Sequence, residues 1–571
     1  MVAVNIRNIR TLFDQRVPMR DGITLSADVY LPAQSTQPKD AVANWPVILL
    51  RTPYVKAAMT VVEIASYYNE RGYVYVAMDV RGRGDSDGQF VPYFNDGQDG
   101  YDAIEWCAAQ PWSDGNIGTI GSSYPGRIQW LAALLQPPHL RAMVVRVSPS
   151  DPFVETPTGL PSPMHLCWLH LVSGRMNQVM EAVDWLSIYE HLPLLTMDER
   201  AGRRNQYWRN DVAHPQLDEY WEPLCYQTRF ECVNVPVLHI SGWYDDEQIG
   251  TPLNFIGMTT RGATPAARSN QRLLMGPWGH SVNAKSKLGE VDFGQNAIIN
   301  LRGEELQWLN RWLKQGEHKV EAAPVRIFIM GTNEWRDEHE WPLARTQWTP
   351  YYLHSGGNAN SRFGDGSLST TLPDSVDSAA STEPIEAFDS YRYDPARPVP
   401  FITDATSAQI GGPDDYAAIE RRDDVLVYVT APLTEDTEVT GPIRVDLYAS
   451  SSAPDTDFMA KLVDIWPTGF VQRLCDGMVR ARFRDGMDRP SLIEPGQIYR
   501  YSIDCWNTAQ NFLAGHRIGL EISSSAFPKF DRHPNTGAPL GQTTEMAVAE
   551  QRIYHDAEHP SAVVLPIIPH I

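Results

Sequence analysis

Strand and helix patterns alternate along the first 150 residues, and this alternation constrains the fold more than any other feature of the sequence. Four apolar segments have the length of strands, and two stretches with helix-like spacing of apolar residues separate the last two of them. Such alternation indicates a mostly parallel sheet with helices on both faces, so we predict an α/β domain from residue 1 to residue 147. The strand-like segments are 24–31, 45–50, 73–78 and 140–145, and the helix-like stretches are 97–110 and 128–135.

The pattern changes at residue 148. Residues 148–234 contain few strand-like runs but many aromatic residues on helix-like stretches. The alternation of strands and helices resumes at VPVLHI, which begins at Val235, and it continues to residue 350. The simplest arrangement is a helical cap, residues 148–234, inserted into one α/β domain whose second part is residues 235–350.

From residue 351 to residue 571 the sequence indicates strands with no helices between them. Ile443, Val445 and Leu447 alternate with Arg444, Asp446 and Tyr448, as expected for a strand with one buried face. Short strands separated by turns predict a C-terminal jelly-roll β-sandwich. Comparable runs lie at residues 425–429, 458–465, 479–483, 498–503 and 518–522.

The composition excludes several classes of partner and cofactor. The 571 residues include 70 acidic residues against 48 Lys and Arg, for a net charge of −22, and a surface of this sign repels nucleic acid and anionic lipid. No run of 18 apolar residues and no apolar core of a secretory signal is present, and the six cysteines include no C-x-x-C pair. We expect a cytoplasmic protein without a metal or cofactor, and its oligomeric state stays open, a homodimer included.

The segment IGTIGSSYPG, residues 117–126, has the pattern of a strand that turns sharply into a helix around a serine. In a nucleophile elbow a glycine stands two residues before the serine, because the turn holds the nucleophile in a strained conformation. Gly121 has this relation to Ser123, whereas the residue two before Ser122 is Ile120. Ser123 is therefore the predicted nucleophile.

A serine hydroxyl becomes a nucleophile when a base takes its proton, and an acid must orient that base. In α/β hydrolases the acid and then the histidine follow the serine along the chain. The strand-like segment VPVLHI leads into Asp245, and the segment RLLM leads into His280. Because open α/β sheets carry their chemistry at strand ends, we predict that Ser123, Asp245 and His280 form a catalytic triad.

These motifs resemble the cocaine esterase (CocE/NonD) family of serine hydrolases, which is related to the X-prolyl dipeptidyl peptidases and the α-amino acid ester hydrolases. The resemblance runs along nearly the whole chain. It implies an α/β hydrolase that is interrupted by a helical cap and followed by a jelly roll, in agreement with the pattern of the sequence. The segments that carry it are IGSSYPG, SGWYDD, GPWGH, RTPY, DVRGRGDSDG, YRYDPARPVP and GHRIGLEISSSAFPKFDRHPNTG.

The resemblance also implies an oxyanion hole made by a tyrosine hydroxyl and a backbone N–H group. The tyrosine belongs to the RTPY motif and is Tyr54 here, and the N–H group is that of Tyr124, directly after the nucleophile. A position in the core is the alternative role for Tyr54. Two donors would share the charge of the oxyanion that forms during acyl transfer.

Substrate-binding residues are less well defined by the sequence. In the α-amino acid ester hydrolases two acids that bind an ammonium group follow the catalytic aspartate, at the positions of Glu247 and Gln248 here, so only one acid is kept. Glu155 and Asp151 of the cap are candidates for another acid, and Trp168 and Trp185 are candidates for the wall of an acyl pocket. An ordinary pocket or loop position is the alternative for Glu247, and a core position is the alternative for the two tryptophans.

We therefore expect a serine hydrolase that cleaves carboxylic esters of small molecules through an acyl-enzyme, without a cofactor. Amide hydrolysis, by an acylase or an enzyme like the X-prolyl dipeptidyl peptidases, is the nearest alternative. A carbohydrate-binding protein without catalytic activity is the alternative from another class, because jelly rolls often bind sugars. The ordered triad argues against the latter.

Overall fold

A ten-stranded sheet organises the first half of the chain in this computed structural model, which describes residues 10–32, 44–314, 322–373, 388–403 and 411–569. The apolar segments predicted as strands form its centre, where the strands are buried. As far as the cap, the elements are β1 (Arg10–Pro18), β2 (Thr24–Leu31), β3 (Trp45–Thr52), α1 (Met59–Asn69), β4 (Val74–Asp79), α2 (Asp96–Ala108), β5 (Ser113–Ser122), α3 (Tyr124–Ala133) and β6 (Leu140–Arg146).

Short helices follow β6 and form the cap. They share a hydrophobic cluster that includes Trp185 and Trp208, and Phe483 and Leu540 of the C-terminal half pack into the same cluster. The cap is therefore held between the two larger units. Its helices are α4 (His165–Leu171), α5 (Trp185–Tyr189), α6 (Met197–Arg200) and α7 (Gln206–Ala213), with 3-10 helices at Leu194–Thr196, Glu222–Leu224 and Gln227–Cys232.

After the cap the chain returns to the first sheet. The new elements are β7 (Val237–Gly242), α8 (Gly250–Arg261), α9 (Pro265–Ser269), β8 (Gln271–Gly276), the short pair β9 (Lys287–Leu288) and β10 (Val291–Asp292), α10 (Leu301–Leu313), β11 (Val325–Ile329) and β12 (Glu334–Glu338). The strand order is β1-β2-β4-β3-β5-β6-β7-β8-β11-β12, and the seven strands from β4 to β11 run parallel. The carboxyl ends of β5, β7 and β8 consequently meet at one edge, where α/β sheets bind ligands.

The rest of the described chain forms an eleven-stranded sheet system with almost entirely antiparallel pairing. Its longest strand, Thr437–Ser451, pairs with three others, and its apolar faces contribute to a hydrophobic cluster that also includes Trp243 and Phe328 of the α/β domain. The predicted fold class is thereby confirmed: an α/β domain with an inserted cap precedes a β-sandwich. The strands are β13 (Gln347–His354), β14 (Ser367–Ser369), β15 (Phe388–Tyr393), β16 (Leu426–Val429), β17 (Thr437–Ser451), β18 (Asp457–Ile465), β19 (Val471–Arg480), β20 (Tyr499–Phe512), β21 (Arg517–Ser523), β22 (Ala549–Tyr554) and β23 (Ala562–Ile568).

The strand predicted at residues 479–483 is wrong in its position. Strand β19 ends at Arg480, and residues 481–483 form a 3-10 helix. Every residue of β19 is buried, polar ones included, so the strand shows no alternation of polar and apolar residues. The boundary predicted at residue 350 falls inside β13, which pairs with β23 of the sandwich.

The outermost residues of the predicted first and last units, 1–9 and 570–571, lie outside the described residues. Within the described ranges, no helix is long and apolar enough to span a membrane.

Candidate active site

Ser123 lies in the sharp turn between β5 and α3. Its backbone has φ 64° and ψ −127°, a conformation that L-residues rarely adopt and that a tight elbow imposes. A Cβ on Gly121 would lie 2.4 Å from the carbonyl oxygen of Pro125, and one on Gly126 would lie 2.8 Å from that of Arg146. Both positions therefore require glycine, and the sequence keeps glycine at both. Ser122 is the last residue of β5 and does not have this conformation.

Asp245 and His280 follow the ends of the adjacent strands β7 and β8. Asp245 Oδ1 lies 2.8 Å from His280 Nδ1, and Asp245 Oδ2 accepts a hydrogen bond of 2.6 Å from the Ser241 hydroxyl. With Nδ1 bound to the acid, the imidazole directs Nε2 away from Asp245. Ser123 and His280 both line one cavity, so the structure brings the three predicted residues to the same sheet edge.

Asp246 is a site residue that we did not predict. Its Oδ1 lies 3.0 Å from the same Nδ1 of His280, so two carboxylates contact one ring nitrogen. Burial lowers the pKa of His280, but the neighbouring Asp246 and the hydrogen-bonded Asp245 outweigh burial and hold this pKa well above 6.5. Among the described residues, Asp245, Asp246 and His280 also form a group whose ligand atoms, within 4.8 Å of one another, could hold a metal ion.

Tyr54 lies beside the elbow, in a small cluster with Tyr124 and Trp168. The indole Nε1–H of Trp168 donates to its hydroxyl oxygen at 2.9 Å. Burial raises the pKa of Tyr54 above its usual value, against hydrogen bonds from Trp168 and Ser123 that lower it. The hydroxyl is therefore protonated, and the proton is available to a further acceptor. Tyr124 begins α3, so its N–H group has no carbonyl four residues back within the helix.

All three units contribute to the wall of the cavity, whose volume is about 250 Å³. Ser123 and His280 come from the α/β domain, Trp168 comes from the cap, and Trp506 and Lys529 come from the sandwich. Trp185, the other predicted wall residue, is instead buried in the cap, where its indole donates to the Met180 carbonyl. A ligand in the cavity is thus enclosed by residues far apart in the sequence.

Glu155 and Glu247 line the same cavity. Burial raises the pKa of Glu247 well above its usual value, and the neighbouring charge of Glu155 raises it further. Burial raises the pKa of Glu155 as well, although the Ser150 N–H, which donates to it at 2.6 Å, acts in the other direction. Gln248 points elsewhere, since its side chain hydrogen-bonds to the backbone of Asn507 in the sandwich.

Most of the chain is similar to known proteins. Residues 21–282 match the X-Pro dipeptidyl-peptidase (S15) family, and residues 318–564 match the X-Pro dipeptidyl-peptidase C-terminal non-catalytic domain. The cocaine esterase of Rhodococcus sp. (strain MB1 Bresler) is 37% identical, with 97% of each chain covered.

Solved structures agree with this assignment. An α-amino acid ester hydrolase superposes with a TM-score of 0.84 and 25% identity over 99% of this chain and 98% of its own. An aminopeptidase from a marine sediment Thaumarchaeota archaeon superposes with a TM-score of 0.85 over 100% and 98% of the two chains, and at 24% identity it supports the fold alone. The chain therefore belongs to the cocaine esterase (CocE/NonD) family of hydrolases, with an S15-type α/β domain followed by the family's C-terminal β-sandwich.

Proposed function

We propose that this carboxylic ester hydrolase of the CocE/NonD type works through a triad of Ser123, His280 and Asp245. The observation that carries the proposal is the geometry at one sheet edge: Ser123 in the strained elbow and His280 on the same cavity, with Nδ1 held 2.8 Å from Asp245. His280 Nε2 takes the hydroxyl proton as Ser123 Oγ attacks the ester carbonyl. The proton then passes to the leaving alcohol, and the acyl group stays on Ser123.

Water completes the reaction in the second half. His280 takes a proton from the water molecule, the resulting hydroxide attacks the acyl-enzyme, and the proton returns to Ser123 as the carboxylic acid leaves. In each half, negative charge develops on the carbonyl oxygen. We assign its stabilisation to the Tyr54 hydroxyl and the Tyr124 N–H group. The Trp168 indole supports this role, because it occupies the acceptor side of the Tyr54 hydroxyl and leaves the proton free to point at the oxyanion.

The acidic pair of Glu155 and Glu247 supports a substrate with an ammonium group. Burial raises the pKa of both carboxylates, and the charge of Glu155 raises that of Glu247 further, so the pair is unfavourable when both are charged and a bound cation relieves this repulsion. The structurally similar α-amino acid ester hydrolase is named for a class of substrates that contains such a group. Esters of α-amino acids are accordingly the substrate class that we propose, with Trp168 as part of the acyl pocket wall.

A fluorophosphonate probe tests the proposed function, because it labels only a serine whose proton a base can remove. Mass spectrometry of the labelled protein should locate the adduct on Ser123, and labelling should vanish in Ser123→Ala but persist in Ser122→Ala. A protein that only binds carbohydrate would not react. A screen of α-amino esters, the same esters without the amino group and the matched amides then ranks esterase against amidase activity. Label on Ser122, or no label at all, would overturn the proposal.

A further inference from the structure

The loop after β7 places two consecutive carboxylates against one imidazole nitrogen. His280 Nδ1 lies 2.8 Å from Asp245 Oδ1 and 3.0 Å from Asp246 Oδ1. A neutral imidazole carries at most one proton on this nitrogen, so it can hydrogen-bond well to only one of them. The proton is aligned with Asp245, whereas Asp246 Oδ1 is enclosed and has no hydrogen-bond donor among the described residues.

An enclosed carboxylate oxygen without a donor is costly unless a positive charge lies nearby. The imidazolium form of His280 supplies that charge. Burial raises the pKa of Asp246, yet the charge of His280, whose Nδ1 lies 3.0 Å away, is the strongest of the effects that oppose burial, and the pKa of Asp246 is lowered overall. The interaction of Asp246 with His280 is thus most favourable when the ring is protonated. In acyl transfer the ring is protonated while the tetrahedral intermediate exists.

We propose that Asp246 is a second positioning carboxylate for His280, which stabilises the imidazolium and holds the ring in the correct tautomer together with Asp245. This inference rests on the proposed function of His280 as the base. Asp245 is fully buried and tied to Ser241, while the Asp246 side chain is 20% exposed and borders the cavity. The two acids therefore act on the same nitrogen from a buried and a solvent-facing position.

The second carboxylate beside His280 affects how turnover depends on pH. His280 must be neutral in the free enzyme, so kcat/KM rises with pH through the pKa of this ring. Because the pKa of His280 is held above 6.5 by Asp246 and Asp245, the acidic limb of the profile should lie above pH 6.5. Glu247 and the Tyr54 hydroxyl also face the ring and contribute to its field.

The first test measures kcat/KM against pH for a neutral ester in the wild type and in Asp246→Asn. Removal of one negative charge beside the ring should move the acidic limb to lower pH by about one unit. The plateau of kcat should fall about tenfold, because the imidazolium loses a stabilising charge. Asp337→Asn, which removes a carboxylate that is 64% exposed and does not line the cavity, is the matched control and should leave the limb in place.

The second test combines the two acids. With Asp246 still beside Nδ1, Asp245→Asn should lose only about 10²-fold in kcat, and the double variant should lose about 10⁴-fold, the loss expected when no acid fixes the tautomer. A double variant no worse than Asp245→Asn, together with an unmoved limb in Asp246→Asn, would make Asp246 a simple wall residue. A loss confined to α-amino esters would make it an ammonium ligand instead.

The labelling rate of Ser123 keeps this inference separate from the proposed function. If the wild type is not labelled at Ser123, the proposed function fails. If the wild type and Asp246→Asn are both labelled with the same pH dependence, only the role of Asp246 fails. Should Asp246→Asn fold poorly, Asp246→Ala in the presence of formate provides the alternative, because a small carboxylate can enter from the cavity and should restore the rate, whereas chloride should not.

Discussion

The interior of the β-sandwich and the catalytic cavity treat buried charges in opposite ways. In the sandwich the fully buried Arg480 binds both oxygens of Asp457 at 2.8 and 2.9 Å and a carboxylate oxygen of Asp531 at 2.9 Å. In the cavity, by contrast, the dominant effect on the carboxylates of Glu155 and Glu247 is burial, which the charges of Arg127 and His280 offset only in part.

Carboxylates that are paired with a guanidinium belong to the fold, whereas the carboxylate pair in the cavity is suited to bind a ligand. A buried carboxylate with a guanidinium partner keeps its charge at neutral pH, because the partner replaces the lost solvent. A buried carboxylate beside a charged carboxylate holds its proton more tightly: burial and the charge of Glu155 raise the pKa of Glu247, while burial raises the pKa of Glu155. Two neighbouring buried carboxylates lower the stability of the ligand-free protein and favour the binding of a cationic ligand.

Substitution of the nucleophile should give the largest effect on the cavity side of this comparison. Ser123→Ala should lower kcat by roughly 10⁴-fold or more, because no other group in the elbow can form the acyl-enzyme. The melting temperature should not fall, since the side chain contributes little packing and the strained backbone is retained. Steady-state kinetics and calorimetry measure the two quantities. Ser122→Ala is the matched control, and a dead Ser122 variant beside an active Ser123 variant would mean that the elbow is assigned to the wrong serine.

Removal of the buried guanidinium should give the largest effect on the sandwich side. Arg480→Met leaves Asp457 and Asp531 buried without their cation and should lower the free energy of unfolding by about 3 to 5 kcal/mol. It also removes the hydrogen bond of 2.7 Å to the Thr158 carbonyl in the cap. Arg444→Met breaks an ion pair whose guanidinium is 56% exposed, so it should cost about 1 kcal/mol or less. Equal losses in denaturant melts of the two variants would contradict the contrast.

The chemistry of the elbow could be predicted from the sequence because it depends on local geometry. Gly121 is required by the close approach of the Pro125 carbonyl, and this requirement is visible as a glycine two residues before Ser123. Asp245 and His280 follow strand ends, so their meeting at one sheet edge follows from the parallel order of the strands. Their roles stay predictions until the variants are made.

The second carboxylate and the buried ion pairs could not be predicted in the same way. Asp246 follows Asp245 directly, and on a strand the two side chains would point to opposite faces. They reach the same ring because the chain has left β7 and turns, with the Asp245 N–H bonded to the Gly242 carbonyl. Likewise, β19 is buried on both faces and carries Arg480 inward, so periodicity alone does not reveal the strand. The doublet of aspartates after a strand end was the available signal for Asp246.

Loss of one oxyanion donor should have an intermediate effect. Tyr54→Phe removes a single hydroxyl, so kcat should fall by about 10²-fold to 10³-fold, or roughly 3 to 4 kcal/mol, with a smaller change in KM. Tyr68→Phe is the matched control: this buried tyrosine hydrogen-bonds to Glu305 at 3.2 Å, away from the cavity, and its loss should leave kcat unchanged. Normal turnover by a folded Tyr54→Phe protein would assign Tyr54 to the core instead.

The smallest expected effect is that of a substitution at Glu247, which tests the role of the carboxylate pair in the cavity most directly. Glu247→Gln keeps the shape of the side chain but removes the charge that an ammonium group would meet. It should lower kcat/KM for α-amino esters by about tenfold to a hundredfold, as expected for a charge-assisted hydrogen bond of roughly 1.5 to 3 kcal/mol, and leave the same esters without the amino group unaffected. Without a ligand, the melting temperature of the Glu247→Gln variant should be no lower than that of the wild type, because one buried acid beside Glu155 has been removed. Equal losses on both ester series would mean that Glu247 supports the loop of Asp245, and a neutral acyl group would then replace the amino acid as the proposed substrate.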